Sequence, residues 1–118
     1  MREPAMTGDV PVACLLGNAD LARREAEIAA GIFADVRSVE ELGDGYALEF
    51  PAEMSVAERL TEFIGFERRC CPFFTFEMVF HPANGPIWLR LRGPDGAKSV
   101  IEEMMPAKTQ RALKKERA

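Results

Sequence analysis

Two runs of strict alternation constrain this chain more than any other feature. In the first, from Phe73 to His81, Phe74, Phe76, Met78 and Phe80 share one face. In the second, Ile87, Leu89 and Leu91 alternate with Trp88, Arg90 and Arg92. A period of two is that of a strand with one covered face. Between the runs, Pro82-Ala83-Asn84-Gly85-Pro86 has the composition of a turn. Setting Phe80 against Ile87 puts Met78 opposite Leu89, Phe76 opposite Leu91, and Glu77 opposite Arg90 on the outer face.

Similar reasoning divides the rest of the chain. Val10 to Leu16 is an apolar run long enough for a buried strand, and Gly17-Asn18 breaks it. Asn18 suits a helix N-cap and Asp20 its first turn. This helix is expected to reach about Ala34, with Leu21, Ile28, Ile32 and the intervening alanines as its apolar stripe and Arg23, Arg24 and Glu27 outside. Val36 to Leu42 and Tyr46 to Phe50 flank Gly43-Asp44-Gly45, a hairpin signal. Tyr46, Leu48 and Phe50 point inward, and Ala47 and Glu49 outward. Ser38 and Glu40 share the face of Leu42, which marks the first strand of this hairpin as an edge or bulged strand.

A second helix is expected from about Ser55 to Cys70, with Ser55 and Glu58 as a capping box and Val56, Leu60, Phe63 and Ile64 as its stripe. Pro72 stops it. After Gly93-Pro94-Asp95-Gly96, a last helix from about Ala97 to Met105 buries Val100, Ile101 and Met104. The order is βαββαβ followed by a further strand and helix. That order predicts an α+β two-layer sandwich of ferredoxin-like type, with a mainly antiparallel sheet of four or five strands. Residues 9–106 are expected to form one domain, with flexible termini at 1–8 and 107–118.

The chain has 118 residues, 47% of them hydrophobic and 29% charged, as in an ordinary globular protein. No run approaches the ~20 apolar residues of a membrane span, and the N-terminus does not read as a signal peptide. A cytoplasmic location is the expectation, and there the three cysteines are thiols rather than a disulfide framework. The net charge of −4 argues against nucleic acid as a partner. Charge is uneven, however: Lys108, Arg111, Lys114, Lys115 and Arg117 against Glu116 give residues 107–118 +4, leaving −8 for the remainder. A basic tail of this kind suits either a solvated terminus or contact with RNA, DNA or an acidic partner.

Cys70-Cys71-Pro72 is the feature that bears most on chemistry. In a ferredoxin-like topology the upper end of the first strand, where Cys14 falls, shares an edge with the end of the second helix and the start of the fourth strand. Cys14, Cys70 and Cys71 are therefore expected to converge. Glu67 precedes the pair by three and four residues, on the same helix face, where a carboxylate is costly unless partnered. Arg68 and Arg69 favour a thiolate and the helix C-terminus disfavours it. His81, ten residues along a strand at ~3.3 Å each, is expected roughly 30 Å away.

The block Glu67-Arg68-Arg69-Cys70-Cys71-Pro72-Phe73-Phe74-Thr75-Phe76-Glu77 resembles one found in a group of small bacterial proteins of unknown function. So do Trp88-Leu89-Arg90-Leu91 and Gly93-Pro94-Asp95-Gly96-Ala97 downstream, the Asp44-Gly45-Tyr46-Ala47 hairpin, and the upstream strand with Cys14. The resemblance covers most of the chain and implies no established activity. Adjacent cysteines also occur in mercury transport proteins and in an arsenic metallochaperone family, a likeness of two residues. Ferredoxin-like metallochaperones hold a soft metal where the first strand meets the first helix, near Cys14; this chain lacks their CxxC motif.

Thiolates suit Hg(II), As(III), Cu(I), Cd(II) or Zn(II). The expected function is thus a non-enzymatic protein that binds a soft metal or metalloid through Cys70, Cys71 and Cys14. Glu67 would be a fourth ligand or support the others. Two alternatives stand beside it. One is a structural or protein-interaction domain, able to form a homodimer through an exposed strand edge, whose cysteines are small buried hydrophobes. The other is a thiol redox or sensing protein with Cys14 as resolving partner. The ligand reading requires two thiols within ~4 Å of one another and reachable from solvent.

Overall fold

The computed structural model describes residues 19–106 and Thr109, with the backbone alone at Leu21. The elements in order are α1 (Ala19–Phe33), β1 (Ser38–Leu42), β2 (Gly45–Phe50), α2 (Met54–Cys70), β3 (Thr75–Phe80), β4 (Ile87–Arg92) and α3 (Ala97–Met104). The strands form one antiparallel sheet in the order β1-β2-β4-β3. Its inner face, with Tyr46, Leu48, Phe50, Ile87, Leu89 and Leu91, joins Ile32 and Phe33 of α1, Val56, Leu60 and Phe63 of α2, and Ile101 of α3 in one core. This is the two-layer α+β sandwich of ferredoxin-like outline that the element order predicts.

The alternating runs pair in the predicted register: Phe80 with Ile87, Met78 with Leu89, Phe76 with Leu91 and Glu77 with Arg90. The charge pairing is diagonal instead. Arg92 Nε donates to Glu77 Oε1 at 2.9 Å, and Arg92 also pairs with Asp44 at 2.8 Å. These groups are substantially exposed, so they help register more than stability.

β4 lies between β2 and β3, a place that a split βαβ arrangement reserves for its first strand. In the central position Leu89 and Leu91 of β4 are wholly buried, whereas Phe80 on the β3 edge is 60% exposed. Segment 10–16 with Cys14, the cap residue Asn18, and the termini 1–8 and 107–118 apart from Thr109 lie outside the described residues.

β1 is an edge of the sheet, as its poor alternation predicts. Ala47 faces outward yet is buried, lying between Glu40 and Arg90 on the neighbouring strands. The capping box at Ser55 does not form. The helix starts one residue earlier, with Glu53 as its cap and no side-chain capping bond. The Glu53 carbonyl accepts from the N–H groups of both Val56 and Ala57 at 3.1 Å, which places Ser55 inside the first turn. In α3, Ala97 and Ile101 are fully buried, while Val100 and Met104 pack only partly against the core. No helix among the described residues is long and apolar enough to cross a membrane.

Gly45 is where β2 and β4 approach most closely. A Cβ there would lie 1.7 Å from the Leu91 carbonyl oxygen, a backbone atom that cannot swing aside. Gly65, exposed on α2, has nothing within 4 Å of such a Cβ. Gly45→Ala is expected to destabilise by about 2 kcal/mol or more through forced separation of the ladder. Gly65→Ala should stabilise by roughly 0.5–1 kcal/mol through helix propensity. Urea titrations of the two variants check both signs.

Candidate metal centre

The stripe of α2 runs Val56, Leu60, Phe63, Glu67, Cys70, and all five residues are buried. Their spacing of four and three keeps them on one helix face. The face that anchors α2 therefore ends in a carboxylate and a thiol, drawn inside by the same packing that buries Leu60 and Phe63. Glu67 is 0% exposed, and it is the sole charged or polar side chain buried to this degree among the described residues.

Pro72 sets the next step. It forces Cys71 out of the helical region, to φ −127° and ψ 73°, while the Cys71 N–H still donates to the Glu67 carbonyl at 2.7 Å. The chain turns at once, and Cys71 is buried beside Cys70 rather than on the far side of the helix. The two sulfurs lie 3.5 Å apart, and the Cys70 thiol donates to Glu67 Oε1 at 3.5 Å. One ligand atom from each of Glu67, Cys70 and Cys71 lies within 4.8 Å of the other two.

Glu67 Oε2 is also buried, and no N–H or hydroxyl donor among the described residues reaches it. The group facing Glu67 is the Glu25 carboxyl of α1. Two carboxyls hydrogen-bond only when one of them holds a proton. Burial first, and Glu25 second, push the Glu67 pKa up to about 8; hydrogen bonds from Cys70 and Cys71 pull the other way. At neutral pH the site is thus two thiols and a mainly protonated carboxyl.

A groove of about 430 Å³ between α1 and α3 reaches this cluster, with Glu25, Ala26, Ala29, Ala30, Cys71, Val100 and Met104 among its walls. The 3.5 Å sulfur separation meets the ~4 Å expected of a ligand pair, while both thiols are buried and Cys71 is the one that lines the groove. Cys14 lies outside the described residues. Arg68 and Arg69 are exposed, so water screens the positive potential expected beside the thiols. His81 is exposed just past the far end of β3, away from the cluster.

Glu25 was not legible as a site residue, although a signal existed. It precedes the buried Ala29 and Ile32 by four and seven residues, and so continues the α1 stripe as Glu67 continues that of α2. Two helices that pack together each carry one carboxylate on the packed face. Comparison with known proteins returns nothing: no family model, no curated protein and no solved structure matches this chain.

The Glu67 shift has a definite consequence for stability. Below pH 4.5 the folded and unfolded chains both hold the proton, and nothing is lost. Between 4.5 and about 8 the unfolded chain releases the proton while the folded chain keeps it, so stability falls as pH rises. Glu67→Gln, which cannot ionise, is expected to flatten this decline and to raise the melting temperature at pH 8 relative to the reduced, metal-free wild type. Thermal melts of both proteins from pH 4.5 to 8.5 check it; parallel curves would refute the assignment.

Proposed function

We propose that this chain is a non-enzymatic binding protein of the cytoplasm that takes up a soft metal or metalloid ion through Cys70 and Cys71, with Glu67 as an oxygen ligand. The observation that carries the reading is the buried trio of two sulfurs and a carboxyl oxygen within 4.8 Å of one another. A buried carboxyl whose neighbours are a second carboxyl and two weakly donating thiols costs free energy that an apolar residue of similar size would avoid. An ion that displaced the thiol protons would satisfy all three groups at once.

The sulfur separation narrows the coordination. Bonds of about 2.3 Å to sulfurs 3.5 Å apart subtend roughly 100° at the ion. That angle suits tetrahedral Zn(II) or Cd(II) and pyramidal As(III). Linear two-coordinate Hg(II) or Cu(I) needs sulfurs about 4.6 Å apart, so the pair would have to open by about 1 Å.

Titration of the reduced protein with Zn(II), Cd(II), As(III) and Hg(II), beside Cys70→Ser/Cys71→Ser, tests this. One-to-one binding at least about 100-fold tighter than to a small dithiol, and lost in the double variant, is the expected result. Cys14→Ser in the same assay measures whether the third thiol contributes. Affinity no greater than that of the small dithiol would leave the cysteines as core residues.

A second reading draws on the sheet edge. β3 is an edge strand among the described residues, and Phe76 and Met78 are only half-buried beside the exposed Phe80. An unpaired apolar edge suits association with a protein partner or a second copy. It predicts a dimer in sedimentation that dilution dissociates, that thiol blocking leaves intact and that Phe80→Lys abolishes.

A further inference from the structure

We infer that the ligand best fitted to this site is a trivalent arsenical bearing one apolar organic substituent, held by Cys70 and Cys71 with its substituent in the groove between α1 and α3. The inference rests on the thiolate-ligand reading and names its substrate class; one As–C and two As–S bonds fill the centre, so Glu67 lies beside this ligand without bonding to it. Three observations converge on it. The sulfur pair subtends the roughly 100° of a pyramidal centre, which has three bonds and not four. Cys71 is itself part of the groove wall, so the third bond of an atom held by the pair has space on that side. The groove is also lined by Ala26, Ala29, Ala30, Val100 and Met104, a surface that does nothing for a hydrated ion.

Size agrees. The groove measures about 430 Å³, whereas an apolar cavity of about 150 Å³ already admits benzene. The run of alanines on α1 keeps the walls back from the helix axis, and larger side chains at those positions would fill the space. Glu25 and Glu103 also line the groove and leave it acidic, which selects against an anionic substituent.

The chemistry balances without a further reagent. An arsenoxide R–As=O meets two S–H groups; two As–S bonds form, and both S–H bonds and the As=O bond break. The oxygen leaves as water with the two thiol protons. Arsenic stays trivalent and no thiol is oxidised. Glu67, which accepts a hydrogen bond from Cys70, stands where a proton can be passed from sulfur to the departing oxygen.

Phenylarsine oxide and inorganic arsenite are the probes, measured against the reduced full-length protein and against dithiothreitol. The protein is expected to prefer phenylarsine oxide over arsenite by about tenfold more than dithiothreitol does, since the ring is buried only in the protein. Ala30→Leu, a helix-compatible change on the exposed side of α1, should lower affinity for phenylarsine oxide about tenfold more than for arsenite. Ala26→Leu serves in its place if circular dichroism shows the first variant misfolded. A preference equal to that of dithiothreitol, or equal losses of both arsenicals in the variant, would overturn the role of the groove while the ion site stands. Failure of the wild-type protein to bind either arsenical better than dithiothreitol would overturn the arsenical proposal, and failure with Zn(II) and Cd(II) as well would remove the thiolate-ligand reading itself.

Discussion

The burial of the α2 stripe against the core is the constraint on which the rest depends. Val56, Leu60 and Phe63 are 1%, 0% and 0% exposed, and they meet the inner face formed by Leu48, Phe50, Leu89 and Leu91. Removing that much apolar surface from water is worth several kcal/mol, at about 1.5–3 kcal/mol per large side chain. A helix held so firmly cannot rotate to release one residue. Its next two stripe positions are therefore buried too, whatever occupies them. In this chain they are Glu67 and Cys70.

The cost of that burial falls on Glu67, and the surroundings show how it is met. The carboxyl is largely protonated at neutral pH, because burial and the Glu25 carboxyl together disfavour its charge. Its hydrogen-bonding neighbours are the Cys70 and Cys71 thiols and the Glu25 carboxyl. Thiol donors are weak, so this is thin compensation. The unliganded site is thus a place where stability is given up, and such places in natural proteins are commonly where ligands act. Uptake of a cation by two thiols and a protonated carboxyl would release protons as it binds.

Much of the fold could be read directly. Strict alternation in β3 and β4 determined both strands and their register to the residue, because a slip of one would have turned Phe76, Met78, Leu89 and Leu91 to the outer face. The hairpin at Gly43-Asp44 and the edge position of β1 followed from turn chemistry and from charges on both faces. The start of α2 did not, since Ser55 can cap only if the backbone before it stays extended, and the Glu53 carbonyl was already accepting helical bonds. Strand order was hidden as well. Pairing within a hairpin is local, but which strand of the β3–β4 hairpin meets β2 is decided by tertiary packing.

For the site, the sequence by itself determined that Glu67, Cys70 and Cys71 share one helix end, because helical periodicity and the stop at Pro72 are local properties. It could not determine that Glu25 faces Glu67, since that contact joins residues forty-two positions apart. Nor could it specify the 3.5 Å sulfur separation, which depends on the backbone angles at Cys71, or the groove that Cys71 lines between α1 and α3. Those are properties of packed helices. Side-chain pattern says which face of a helix is buried, but only the tertiary structure decides what that face is buried against.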